Sequence, residues 1–162
     1  MYYVAGSIDS HIGEERIEME PNKKLPLFIV SGASGVVMGY WLLVALKNIP
    51  GLETHLIITE GAKKTFSLET DVSIEKICSL ADFNHHNDDM AALVSSGSYQ
   101  TDGMIILPCS MKTLSGIVHG YDENLLVRAA DVCLKENRRV VLAPREMPLN
   151  QIHLKNLLMA AE

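Results

Sequence analysis

Four short apolar runs alternate with stretches of helical spacing, and each run ends in a tip of glycine, hydroxyl, proline or charge. The runs are "LPLFIV" (Leu25–Val30), "ETHLIIT" (Glu53–Thr59), "GMIILP" (Gly103–Pro108) and "RVVLAP" (Arg139–Pro144). Continuous apolar runs of this length suit parallel strands, because helices cover both faces of a parallel sheet and remove the in–out alternation. Helices are expected over "GVVMGYWLLVALKNI", closed by Pro50-Gly51, and over "EGAKKTFSLE", "SIEKICSLA", "MKTLSGIVHG", "NLLVRAADVCLKENR" and "NQIHLKNLLMAAE". "FNHHNDD" (Phe83–Asp89) reads as a polar loop. Strands alternating with helices predict an α/β chain: a doubly wound, mostly parallel sheet in a three-layer sandwich of the Rossmann or flavodoxin-like kind. In such sheets ligands sit beyond the carboxyl ends of the strands, so the tips are where chemistry is expected.

The chain has 162 residues, which fits one domain over residues 25–162. Residues 1–24 show no clean period and include "GEERIEMEPNKK", and are expected to form an arm or a disordered lead-in. A net charge of −6 argues against nucleic acid or an anionic membrane as partner, so an anionic ligand must be met by local amides and a few cations. Cys78, Cys109 and Cys133 are odd in number and lack metal spacing, which fits a reducing cytoplasm better than a disulfide framework. His85 and His86 are adjacent rather than four apart, so no metal site is expected. No apolar run is long enough to span a bilayer, and no secretory signal is expected from the N-terminus.

The first tip, Gly32-Ala33-Ser34-Gly35, places small residues and free N–H groups at a helix start. It lacks the second glycine of G-x-G-x-x-G. It suits a phosphate or an anionic ring edge, and equally a tight turn with Ser34 as N-cap. Thr59 can offer its hydroxyl to the same crevice or cap the next helix. Pro108-Cys109-Ser110-Met111-Lys112-Thr113 opens another helix with hydroxyls and amides. There Cys109 reads as a small buried hydrophobe, and Ser110 and Thr113 as ligand contacts. Prolines flank Arg145-Glu146-Met147 and hold it extended, so Arg145 and Glu146 face different neighbours. Arg145 suits a phosphate. A carboxylate at Glu146 inside an apolar crevice would hold its proton more tightly and can shuttle it; a structural ion pair is the plainer alternative. "LETD" can bring Glu69 to the crevice or be a solvated turn. Lys135 at a helix end is explained by the helix dipole alone, Arg128 and Asp131 can simply pair, and Tyr40 and Trp41 suit packing or subunit contact.

"SGASG", "LETD", "SSGS", "DGMIILPCSMKTLSGI", "RAADVCLKE" and "APREMPL…IHL" occur here in the order and spacing of UbiX-type flavin prenyltransferases, and the chain from Leu25 onward resembles that family, especially members encoded beside phenolic-acid decarboxylases. The resemblance implies flavin mononucleotide (FMN) as ligand and dimethylallyl monophosphate as co-substrate, joined at N5 and C6 of the reduced flavin, with no metal. It implies that Gly32, Ala33 and Ser34 contact the flavin, with Ser34 near N5. Thr59 would meet the flavin phosphate, and Ser110, Met111, Lys112 and Thr113 would form the second flavin loop. Arg145 would touch flavin and prenyl phosphate, and Glu146 would be the acid/base residue. Glu69 and Lys135 would line the prenyl-phosphate site, in part across a subunit boundary. It further implies a homo-oligomer, commonly a dodecamer, and a UbiD-type decarboxylase as recipient of prenylated FMN. The family pattern continues beyond the position of Glu162 with a strand and helix that supply a tyrosine and a basic residue to the prenyl phosphate. A non-catalytic FMN-binding carrier subunit of an aromatic acid decarboxylase system is the competing expectation. A flavin-dependent cysteine decarboxylase ranks behind both, because that group has P-A-S-A-N-T where this chain has "PCSMKT".

Overall fold

A computed structural model describes residues 3–5, 25–31 and 33–162, the first two segments by their backbone alone. One six-stranded sheet contains β1 (Tyr3–Ala5), β2 (Leu25–Ser31), β3 (Leu52–Ile58), β4 (Phe83–His85), β5 (Gly103–Cys109) and β6 (Arg139–Pro144), in the order β1-β6-β5-β2-β3-β4. All pairings are parallel except β1 with β6, where Tyr3 stands opposite Leu142. Two strands depart from the sequence expectation. Tyr3–Ala5 lies within the supposed arm yet adds an antiparallel edge; residues 6–24 lie outside the described part, so disorder there is not addressed. Phe83–His85 is an edge strand rather than loop, paired in parallel with β3 from His55 to Ile57. Its three residues are too few, and too polar, for a period to register.

The helices are α1 (Val37–Leu46), α2 (Glu60–Glu69), α3 (Ile74–Cys78), α4 (Met111–Val118), α5 (Leu125–Lys135) and α6 (Gln151–Met159). Thr59, Ser73, Ser110, Asn124 and Asn150 each cap a helix by accepting from the N–H three residues on. Helix α1 is the exception. Its N-cap is Val36 with no side-chain cap, so Ser34 does not play that part. Gly35 has φ +83°, a left-handed conformation that keeps the turn out of the helix and starts α1 later than the apolar spacing predicts.

Alternation along β3 assigns the faces. Leu56 and Ile58 pack with Val36, Leu43, Ala62, Phe66 and Ile77, which belong to the α1–α3 side. Ile57 joins the opposite cluster, with Met104, Ile106, Leu114, Leu126, Ala130 and Leu157. Helices therefore cover both sheet faces, and successive residues such as Leu56, Ile57 and Ile58 are apolar for that reason. Pro108 has no N–H to give the ladder although β5 is central, and the β5–β6 register shifts between Ile106 and Cys109. Beyond that shift Cys109 pairs with Pro144, which brings the β5 and β6 tips level.

Candidate functional site

The tips of β5 and β6 are tied together by backbone. The Arg145 N–H donates to the Cys109 carbonyl at 3.1 Å, so the Arg145 tip is fixed to the tip that carries Ser110. The Arg145 side chain then crosses the first tip. A Cβ placed on Gly35 would lie 3.1 Å from Arg145 Cδ and 3.5 Å from Met38 Cε. Only glycine satisfies both the left-handed φ and this close approach. The Gly35 N–H donates to Glu69 Oε2 at 2.8 Å. Glu69 thus reaches from the end of α2 to the first tip, and its carboxylate sits on an amide of that turn. Ser34 is exposed beside it and Ala33 half-buried; Gly32 lies outside the described residues.

A cavity of about 780 Å³ opens next to this rim, lined by Thr59, Gly61, Ser110, Lys112, Thr113 and Asn124 among others. Three helices start at its wall: α2 behind Thr59, α4 behind Ser110 and α5 behind Asn124. The dipoles of all three favour an anion there, although the first three N–H groups of α5 are taken by Asn87 and Asn124. Ser110 Oγ accepts from the Thr113 N–H at 3.1 Å and donates to Thr113 Oγ1 at 3.0 Å. Thr59 Oγ1 accepts from the Ala62 N–H at 3.1 Å. Thr59 and Ser110 are therefore caps and cavity lining at once. Met111 packs against the core of the α4–α6 face. Lys112 reaches outward, 84% exposed, and pairs with Glu123 at 2.8 Å across the cavity wall; that carboxylate raises its ammonium pKa.

Other residues singled out in the sequence stand apart. Glu146 is exposed, and its Oε1 accepts from the Met147 N–H at 3.0 Å, so within one chain it is not enclosed by an apolar crevice. Lys135 ends α5 beside the start of β6, at the amino ends of the parallel strands. There it pairs with Glu136 at 3.2 Å, and one chain does not bring it to the rim. Arg128 pairs with Asp131 and also with Asp122, each at 3.1 Å, and its Nε donates to the Ser95 carbonyl. Cys109 is fully buried, and burial pushes its thiol up to about 12, in keeping with a packing role.

Sequence reasoning missed a polar cluster on the edge of the sheet. His55 and His85 are nearly coplanar (4°), with 5.2 Å between ring centroids and 2.9 Å between Nδ1 and Nε2. The rings meet edge to edge through a hydrogen bond rather than face to face. His55 Nε2 meets Glu53 Oε1 at 3.2 Å and the Tyr99 hydroxyl at 3.1 Å, and Phe83 stacks on the His55 ring at 4.8 Å. Burial lowers the His55 pKa against the pull of Glu53 and Asp82. Burial and then the neighbouring His55 lower that of His85, against Asp89. The one available signal was a histidine inside the apolar run "THLII".

The flavoprotein family profile matches residues 14–161. The "Probable UbiX-like flavin prenyltransferase" of Sedimentibacter hydroxybenzoicus is 62% identical over 133 residues, 82% of this chain and 70% of that protein. A dodecameric FMN-dependent UbiX-like decarboxylase from Escherichia coli O157:H7 superposes with TM-score 0.82 at 53% identity, over 83% of this chain and 74% of the other. AnUbiX (PadA1), in complex with FMN and dimethylallyl pyrophosphate, superposes with TM-score 0.81 at 46% identity, over 85% and 73%. The chain spans 64% to 70% of the length of curated relatives such as those of Streptomyces and Sedimentibacter. On these grounds the chain belongs to the flavoprotein family and, within it, to the UbiX-like flavin prenyltransferases.

Proposed function

We propose that the protein is a flavin prenyltransferase. It joins the dimethylallyl group of dimethylallyl monophosphate to reduced FMN, and the prenylated flavin serves a UbiD-type decarboxylase. The observation that carries the reading is the meeting of Gly35, Glu69 and Arg145 beside a cavity walled by three helix N-termini. These residues suit FMN. Amides and hydroxyls at Thr59 and Ser110 to Thr113 fit its phosphate, and the missing Cβ at Gly35 lets the Arg145 side chain lie over the turn, where its flat guanidinium can meet a ring. Reduced flavin supplies the electron-rich ring that accepts the allyl group.

The chain's own residues supply the rest. Gly32, Ala33 and Ser34 border the ring, and residues 25–162 form the flavin-binding domain. Arg145, held over the α1 start, stabilises the negative charge on the departing phosphate. Lys135 adds a second cation only when another copy presents it, since in its own chain it stands at the far end of α5. Glu69, fixed by the Gly35 amide, sets a negative charge at the rim that stabilises the positive charge developing on the allyl group. Glu146 takes up the proton displaced from the flavin ring. An allyl cation must be kept from water. Val37, Met38, Trp41 and Met147 are large, apolar and exposed, and Met38 lies beside Gly35 at the rim. A second copy seated on them closes the site, and a homododecamer is the assembly we assign. We place the protein in the cytoplasm, on its free cysteines; among the described residues no helix is long and apolar enough to cross a membrane.

The test is to incubate the protein with reduced FMN and dimethylallyl monophosphate without oxygen and weigh the bound flavin. A gain of one five-carbon unit supports the reading. Bound flavin of unchanged mass makes the chain a carrier instead. Glu146→Gln is expected to bind flavin and lose the mass gain.

A further inference from the structure

One wall of the cavity is contributed by a residue that no motif singles out. Asn87 follows β4 in the run that reads as loop, and it lines the cavity with Thr59, Ser110 and Thr113. Its backbone carbonyl accepts from the Leu125 N–H at 2.8 Å, and its Oδ1 accepts from the Leu126 N–H at 3.1 Å. Those are the first two N–H groups of α5, whose own cap, Asn124, takes the Val127 N–H. The carboxamide is thereby oriented: an N–H fixes which end is oxygen, and the Nδ2 end is a donor. Among the described residues nothing accepts from that Nδ2.

We infer that Asn87 is a ligand-binding residue of this cavity, its Nδ2 donating to the phosphate monoester of the bound nucleotide. The inference rests on the flavin reading above. Asn87 lines the same cavity as Thr59 and Ser110, the caps of α2 and α4, and adds a neutral donor to theirs. Helix α5 positions the donor and has its first amides satisfied in return. The edge strand β4 thus acquires a purpose, because it delivers Asn87 to α5.

Asn87→Asp separates binding from structure. A carboxylate keeps both acceptors for α5 and favours a helix N-terminus, so the melting temperature is expected to hold or rise. It removes the donor and faces the phosphate with negative charge. FMN affinity, read by quenching of flavin fluorescence, is expected to fall about tenfold or more, while riboflavin, which lacks the phosphate, binds as to the parent protein. The FMN loss is expected to persist in about 1 M salt, where the Debye length is ~3 Å and long-range repulsion is screened. Inorganic phosphate is expected to compete with FMN for the parent protein and less well for the variant. Asn87→Ala is expected to lose FMN affinity together with some thermal stability. Unchanged FMN affinity in Asn87→Asp, or an equal loss for riboflavin, overturns the assignment. A parent protein that binds neither flavin overturns the flavin reading itself, and the assignment with it.

Discussion

Gly35 and Glu69 are joined by a backbone-to-carboxylate hydrogen bond of 2.8 Å across 34 residues of sequence. It ties the turn that opens α1 to the last residue of α2, and it places a carboxylate where a turn of this shape would hold a ligand anion. Glu69 is exposed, so the bond is free to exchange its partner. Glu69→Gln keeps an acceptor for the Gly35 N–H and removes the charge. Flavin binding is expected to survive, and prenyl transfer to slow about a hundredfold, in the range of a lost electrostatic contribution. Turnover at the parent rate would mean that the carboxylate is only a structural acceptor.

Gly35→Ala tests the crossing of Arg145 over the first tip. The new methyl would lie 3.1 Å from Arg145 Cδ, on a residue with φ +83°. The left-handed backbone costs about 1–2 kcal/mol for a residue with a Cβ, and the arginine must move. Lower stability in urea together with weaker FMN binding is expected. Stability lost with FMN affinity intact would separate Arg145 from the flavin.

Ser110→Ala removes an acceptor from the Thr113 N–H and a donor to Thr113 Oγ1. Loss of the cap costs about 1 kcal/mol. Because the same hydroxyl lines the cavity, FMN affinity is expected to fall further than the comparable cap removal Ser73→Ala produces. Ser73 caps α3 and does not line that cavity, so equal behaviour of the two variants would reduce Ser110 to a cap.

The His55–His85 pair sets a pH dependence with a definite sign. Burial lowers both imidazoles below their ordinary value of about 6.5. The unfolded chain therefore binds protons first as the pH falls. Stability from the pair is complete above about pH 6.5 and declines toward the depressed folded values. Urea unfolding between about pH 7 and about pH 5 is expected to show this decline, and His85→Asn to flatten it. A parent protein equally stable at both ends would contradict the burial argument.

Much of the fold was legible because each of the four central strands carries a run of consecutive apolar residues, and because Thr59, Ser110 and Asn124 are capping residues placed before helical runs. The site was legible as tips, since proline and glycine punctuate Gly35, Pro108 and Pro144. What could not be read was pairing between distant segments. The Glu69–Gly35 bond depends on how α2 ends beside α1, and the His55–His85 bond on an edge strand of three residues. Asn87 gave no signal because its partners, Leu125 and Leu126, offer only backbone N–H groups, which are the same in every sequence. At Ser34 the sequence left the cap and the ligand contact equally open. Ser34 has the right chemistry for a cap, but Gly35 turns the backbone before the helix begins.

The most direct measurement is a crystal structure of the protein grown with FMN. The phosphate is expected within hydrogen-bond distance of Thr59, Ser110 and Asn87, and the ring against Gly35 and Arg145. A flavin seated elsewhere, or a phosphate bound outside the cavity between α2, α4 and α5, would contradict it.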